Sequence, residues 1–287
     1  MKNISSKNNN EIINNKLEAL YDFFEKNNIT KLKNYKKEDL LNIKDLDLSS
    51  LKLKDIPNEI NILTNLKRLD ICNNDIDKFP ECILSLENLK YLDISFNKIK
   101  SIPNKITALQ NIEEIDISNN MLKTFPKEIF ELKKLKTLNM SGYSLDEIPN
   151  EIFSLSKLEE LDISNNNIEN ISNKISKLTN LKKVYINNNK IKSIPKAITE
   201  LPKLKILSLL DNNLKVISKY IGNINTLEEF YFSSDSLITI ENDFYNLENL
   251  KRLYIKGNLS SLPSEIYKLK NLKYLYINGM ILNSGQI

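Results

Sequence analysis

A chain of 287 residues that is 41% hydrophobic and 27% charged holds too much apolar material for disorder and enough for a large folded core. Its 41 Lys and Arg against 37 Asp and Glu leave a formal charge of only +4, too weak a balance for a dedicated duplex nucleic-acid binder. Histidine is absent, the five glycines make no phosphate-cradling loop, and the two cysteines complete neither a tetrahedral zinc site nor a disulfide framework, so no metal, no cofactor and no enzymatic activity are expected.

In chain order, residues 1–15 are rich in Asn and Lys, lack an apolar secretion core, and read as a disordered tail. Nowhere do eighteen apolar residues run together, so no membrane span is expected, and a soluble cytoplasmic protein is the reading. Over 16–27, Leu17, Leu20 and Phe24 share one helical face, and a second helical piece is expected near 35–41. Residues 16–42 are therefore assigned as a helical cap over the open apolar end of the domain formed by 43–287.

From Ile43 the chain repeats every 23 residues, returning at Leu66, Leu89, Ile112, Leu135, Leu158, Leu181, Leu204, Leu227 and Leu250, then one residue early at Leu272. Apolar residues hold positions 1, 4, 6, 11, 14, 18 and 21 of each unit, at all seventy such places in the first ten repeats. Positions 4 and 6 alternate with polar neighbours, which is the period of a half-buried strand. Position 9 is Asn in seven units (Asn74, Asn97, Asn120, Asn166, Asn189, Asn212, Asn258), where an amide can satisfy turning backbone with both a donor and an acceptor. Position 15 is Pro in seven, which ends strand pairing and starts a return segment. The apolar residues at 14, 18 and 21 then suit a short helix or 3₁₀ turn.

With motifs such as Leu-Lys-Tyr-Leu-Asp-Ile-Ser-Phe-Asn-Lys-Ile-Lys-Ser-Ile-Pro at 89–103, the chain resembles leucine-rich-repeat proteins of the 23-residue Leu-Pro-x-x-Ile subtype, seen in Ras-group and Scribble-type scaffolds and in bacterial repeat proteins. The resemblance implies an α/β fold: a right-handed horseshoe solenoid over 43–287 with a concave parallel sheet, convex short helical or 3₁₀ segments and a helical N-terminal cap. Ten repeats and a partial eleventh would form it. The last strand, carrying Leu275 and Ile277, is expected to be an uncovered parallel edge open to weak self-association. Tyr143 and Asp235 interrupt the asparagine column internally and should weaken the repeat there.

Position 5 of each strand faces outward and changes from Asp47, Asp70, Asp93, Asp116, Asn139 and Asp162 to Tyr185, Ser208, Tyr231, Tyr254 and Tyr276. The aspartates are a common feature of this repeat type, although Glu114, Asp116, Glu160 and Asp162 form a secondary acidic patch whose paired carboxylates invite comparison with a glycosidase. An open sheet gives no apolar pocket to keep one of them protonated. The tyrosines depart from the repeat's own pattern. Tyr231, Tyr254 and Tyr276, flanked by Arg252, Lys256 and Tyr274 and preceded by Tyr185, read either as a partner-binding strip or as an aromatic ladder that holds strands together. Glu228 and Glu229 beside them count against single-stranded nucleic acid. Cys72 and Cys82 should face opposite sides of one repeat as free thiols.

The reading is a non-catalytic module binding a protein on its concave face. Its alternatives are the regulatory or targeting segment of a larger signalling enzyme, or an exported adhesion or effector protein.

Overall fold

The structure is a computed structural model that describes residues 2–29, 36–237, 239–258 and 264–283. It divides between Lys134 and Leu135 into two compact units.

In the first unit, helix α1 (Lys2–Lys26) precedes a 3₁₀ turn, Lys37–Asn42. Leu17, Leu20 and Phe24 are buried along one face of α1, and Lys16 Nζ donates to Asn61 Oδ1 at 3.1 Å in the first repeat. The helix ends where Asn28 takes a left-handed φ of 52°, with Ile29 N–H returning to the Phe24 carbonyl and Asn28 N–H to that of Glu25. The cap is therefore as expected, but the tail is not. The helix begins at Lys2, so the segment expected to be disordered is helical from Lys2 onward; no Gly or Pro interrupts 2–26, and helix once nucleated on the buried face propagates outward. Met1 and Tyr35 lie outside the described residues.

Strands β1 (Asp45–Asp47), β2 (Arg68–Asp70), β3 (Tyr91–Asp93) and β4 (Glu114–Asp116) then pair in parallel, in chain order and in register one repeat apart. Each is three residues long and its centre is buried.

The second unit continues with β5 (Thr137–Asn139), β6 (Glu160–Asp162), β7 (Lys183–Tyr185), β8 (Ile206–Leu209), β9 (Val216–Ile217), β10 (Glu229–Ser234), β11 (Thr239–Ile240), β12 (Arg252–Gly257), β13 (Tyr274–Ile277) and β14 (Met280–Asn283). Its main sheet runs β5-β6-β7-β8-β10-β12-β13-β14, and β9 pairs with β11 as a separate two-stranded sheet. Among the described residues the return segments are 3₁₀ turns, most preceded by the position-15 proline, whose fixed φ (−67° at Pro57, −72° at Pro195) matches the extended entry. Leu259, Leu262 and Pro263 of the tenth repeat lie outside the described residues.

The expected bare parallel edge at β13 is corrected by the structure. Asn278 and Gly279, both at positive φ, turn the chain back so that β14 pairs antiparallel with β13, Tyr276 facing Ile281 and Ile277 facing Met280. Leu275 and Ile277 are buried.

Six of the seven position-9 asparagines are buried or half-buried and bond as foreseen. Asn97, for example, donates to the carbonyls of Ile71, Ile94 and Ser95 and accepts from Ile76 N–H. Asn258 does not join them: it is exposed and donates to the Asp235 carbonyl, because β12 runs straight on to Gly257, past the point where the strands of the first eight repeats end.

Candidate functional site

Position 5 has a structural task in half of the chain. Asp47, Asp70, Asp93, Asp116, Asn139 and Asp162 each use Oδ1 to accept the backbone N–H two residues on, at 2.8–3.1 Å. This Asx turn satisfies the donor that each three-residue strand leaves behind. From Tyr185 onward the donor is met otherwise, by Ser164 Oγ at Asn187 and by Asn187 Oδ1 at Leu210. Farther along, β10 and β12 pair through six residues, as far as Ser234 opposite Gly257. The longer ladder releases position 5, which then carries aromatic rings.

The rings fall into two groups. Tyr254 and Tyr276 stack in parallel, centroids 4.2 Å apart and planes 3° from coincident. Arg252, beside them on β12, lies 5.4 Å from the Tyr274 ring and donates to Glu229 Oε1 at 3.1 Å. Lys256 is exposed on the same strand face. Tyr231 faces Tyr254 in register, yet its hydroxyl is turned to Glu229 by a short hydrogen bond, and burial and then that bond push its phenol up to about 12. Tyr254 is raised too, by burial and then by its bond with Tyr276. Tyr185 stands apart, since Ser208 separates it from Tyr231 in the ladder; its burial raises its pKa. Of the seven expected residues, Tyr254 and Tyr276 form the stacked pair, Arg252, Lys256 and Tyr274 lie on the same two strands, Tyr231 borders the pair on β10, and Tyr185 lies on β7, three strands from β12.

Of the four acidic residues, two fall in each unit. Glu114 and Asp116 belong to the first unit, where Glu114 is exposed and Asp116 caps Ser118. Glu160 and Asp162 belong to the second, where Lys183 pairs with Glu160 at 2.9 Å and Asp162 caps Ser164. Ion pairs of this kind join neighbouring repeats elsewhere, as in Lys182 with Glu159 and in Lys205 and Lys251 with Glu228. They hold the Glu159 and Glu228 carboxyls below the usual range, opposite to what a general acid needs.

Asp70, Cys72 and Asp93 bring a thiol and two carboxylates within 4.8 Å of one another, a grouping the cysteine count alone does not disclose. Burial first, then the Asp70 hydrogen bond and the Asp93 charge, push the thiol up to about 12, so a metal would have to displace its proton. Cys82 is buried on the outer side of the same repeat; both thiols are free.

A family model described as a leucine-rich repeat region matches residues 19–141, 82–184 and 126–236, and one described as a BspA type leucine rich repeat region, in six copies, matches 188–286. The chain belongs to the leucine-rich-repeat family. Such repeat domains are usually non-catalytic and typically bind proteins. No curated protein matches the chain. Among solved structures it is similar to a leucine-rich-repeat protein of Leptospira interrogans, at 30% identity and a TM-score of 0.70 over 84% of this chain and 68% of that one. The HAESA receptor kinase ectodomain of Arabidopsis, solved in complex with an IDA peptide hormone, is 26% identical with a TM-score of 0.62, over 78% of this chain and 40% of that one. An internalin of Listeria monocytogenes, inlF, shares the fold at 20% identity and a TM-score of 0.65, over 88% of this chain and 80% of that one.

Proposed function

We propose that this leucine-rich-repeat chain is a non-catalytic module that binds a protein or peptide on the concave strand face of its second unit. Tyr254 and Tyr276 form the centre of the site, Arg252, Lys256 and Tyr274 surround it, and Tyr231 and Tyr185 extend it toward the earlier strands. The observation that carries this reading is the parallel Tyr254–Tyr276 stack, half-buried and facing outward, at a position that caps the backbone in the earlier repeats. Rigid aromatic side chains bury much area at small entropic cost, and Tyr and Arg are enriched among residues that dominate binding energy. Arg252 is held in place by Glu229 and Tyr274 before any partner arrives, which lowers the ordering cost of using it. Three similar plant receptors have been solved with a bound partner: the HAESA ectodomain with an IDA peptide hormone ligand, the GASSHO1/SCHENGEN3 ectodomain with CASPARIAN STRIP INTEGRITY FACTOR 2, and the peptide hormone receptor RGFR1 with RGF2. The free thiols suit a reducing, cytoplasmic setting.

The test separates binding from an aromatic ladder. Tyr254→Ala removes one ring from the stack and should lower fold stability by about 1 kcal/mol or less. Recovery of the native partner by affinity capture should fall at least about tenfold, the equivalent of roughly 1.4 kcal/mol. Unchanged recovery together with a loss of several kcal/mol in denaturant unfolding would make the stack a structural ladder.

A further inference from the structure

We propose that the strand face of the first unit is a second docking surface, for a basic peptide segment whose apolar side chain seats on Phe96 and Met121. Positions 8 and 10 of the repeat, just past the strand ends, are polar throughout the first unit except here: Ser50, Asn73 and Asn119 share the column with Phe96, and Lys52, Asp75 and Lys98 share theirs with Met121. Both exceptions lie in neighbouring repeats and both are more than half exposed, Phe96 at 58% and Met121 at 56%. Position 8 also has a left-handed backbone, with φ of 60° at Ser50, 53° at Asn73 and 52° at Asn119. A phenylalanine at φ 51° is strained as well as exposed, so nothing in the fold rewards its presence.

Charge says what would cover it. Across positions 3 and 5 of the first four repeats stand Asp45, Asp47, Asp70, Asp93, Glu114 and Asp116, with Arg68 the single cation. That arginine lies over the Tyr91 ring, 3.4 Å from its centroid. Lys44, Lys67 and Lys90 border the face at the opposite, strand-start end, and Lys90 is paired with Glu113 at 2.6 Å. The negative field registers on two neutral neighbours: besides burial, nearby aspartates raise both the Cys72 thiol and the Tyr91 phenol. A segment alternating basic and apolar residues matches the two features together, its cations over the strands and its apolar side chain beyond their ends.

The probe is a fluorescent synthetic peptide of alternating arginine and leucine, titrated against the full chain by anisotropy. It should bind more tightly than an arginine–serine or a glutamate–leucine peptide, and the double variant Phe96→Asn/Met121→Ser should weaken it about tenfold. Phe96→Asn restores the asparagine of neighbouring repeats, so its melting temperature should hold or rise. Equal binding of the arginine–serine or the glutamate–leucine peptide, unchanged binding by the double variant, or a lower melting temperature for Phe96→Asn would overturn the proposal. So would loss of the probe on Tyr254→Ala, which would place it on the second unit instead.

Discussion

At position 5 a single side chain decides how a strand ends. An aspartate there caps the next free N–H, as Asp93 does for Ser95, whose hydroxyl also donates to the same Oδ1 at 2.6 Å. A tyrosine cannot, and the strands that carry Tyr231 and Tyr254 solve the problem by pairing farther. Asp93→Ala should therefore cost about 1 kcal/mol in urea unfolding, the usual loss when a capping carboxylate is removed. An effect near zero would mean that water satisfies the Ser95 N–H equally well. The sequence displays the Asp-to-Tyr change but not its cause, because a capping bond runs to a backbone atom and leaves no mark on residue pattern. The asparagine column, by contrast, was legible: an amide recurring every 23 residues between apolar positions has few other uses. Asn258 escaped because its difference lies in the length of β12, not in its own identity.

Among the elements, the outer 3₁₀ turns show how neighbouring repeats set one another's limits. The β9–β11 pairing draws the turn Lys219–Asn223 against the turn Asn242–Asn246, and Gly222 sits where they meet. A Cβ there would lie 1.8 Å from the Asp243 carbonyl oxygen, and other repeats carry larger residues at the equivalent place, such as Phe130 and Tyr245. Gly222→Ala should destabilise the chain by about 3 kcal/mol or more, since backbone on both sides has to move. A thermal melt within a degree of the parent would show that the turns can separate freely. The closing hairpin was also within reach of the sequence. Asn278-Gly279 between apolar runs is a strong two-residue turn signal, and following the repeat's period past it is what produced the expectation of a bare edge. The start of α1 was less legible, because an asparagine-rich segment has low helix propensity and only its attachment to a buried face extends it.

Over the whole molecule, the repeat fixed fold and layer order from the sequence alone, while the surface chemistry became readable only once the strand faces were laid out. The first unit presents aspartates that cap its strands beside two exposed apolar side chains; the second presents a tyrosine stack with a preordered arginine. In a solenoid each repeat is stabilised by its neighbours, so an outward-facing residue can be altered with little effect on distant repeats. That separation makes the binding claim directly measurable by hydroxyl-radical footprinting of the tyrosines, with and without the captured partner. Tyr220 and Tyr267, exposed on the outer turns, serve as internal references. Docking on the strand face predicts that the partner slows oxidation of Tyr254, Tyr274 and Tyr276 at least about threefold, as expected where a binding centre excludes water, and leaves Tyr220 and Tyr267 unchanged. Protection of Tyr220 and Tyr267 with the strand-face tyrosines still open would place the partner on the outer surface and contradict it.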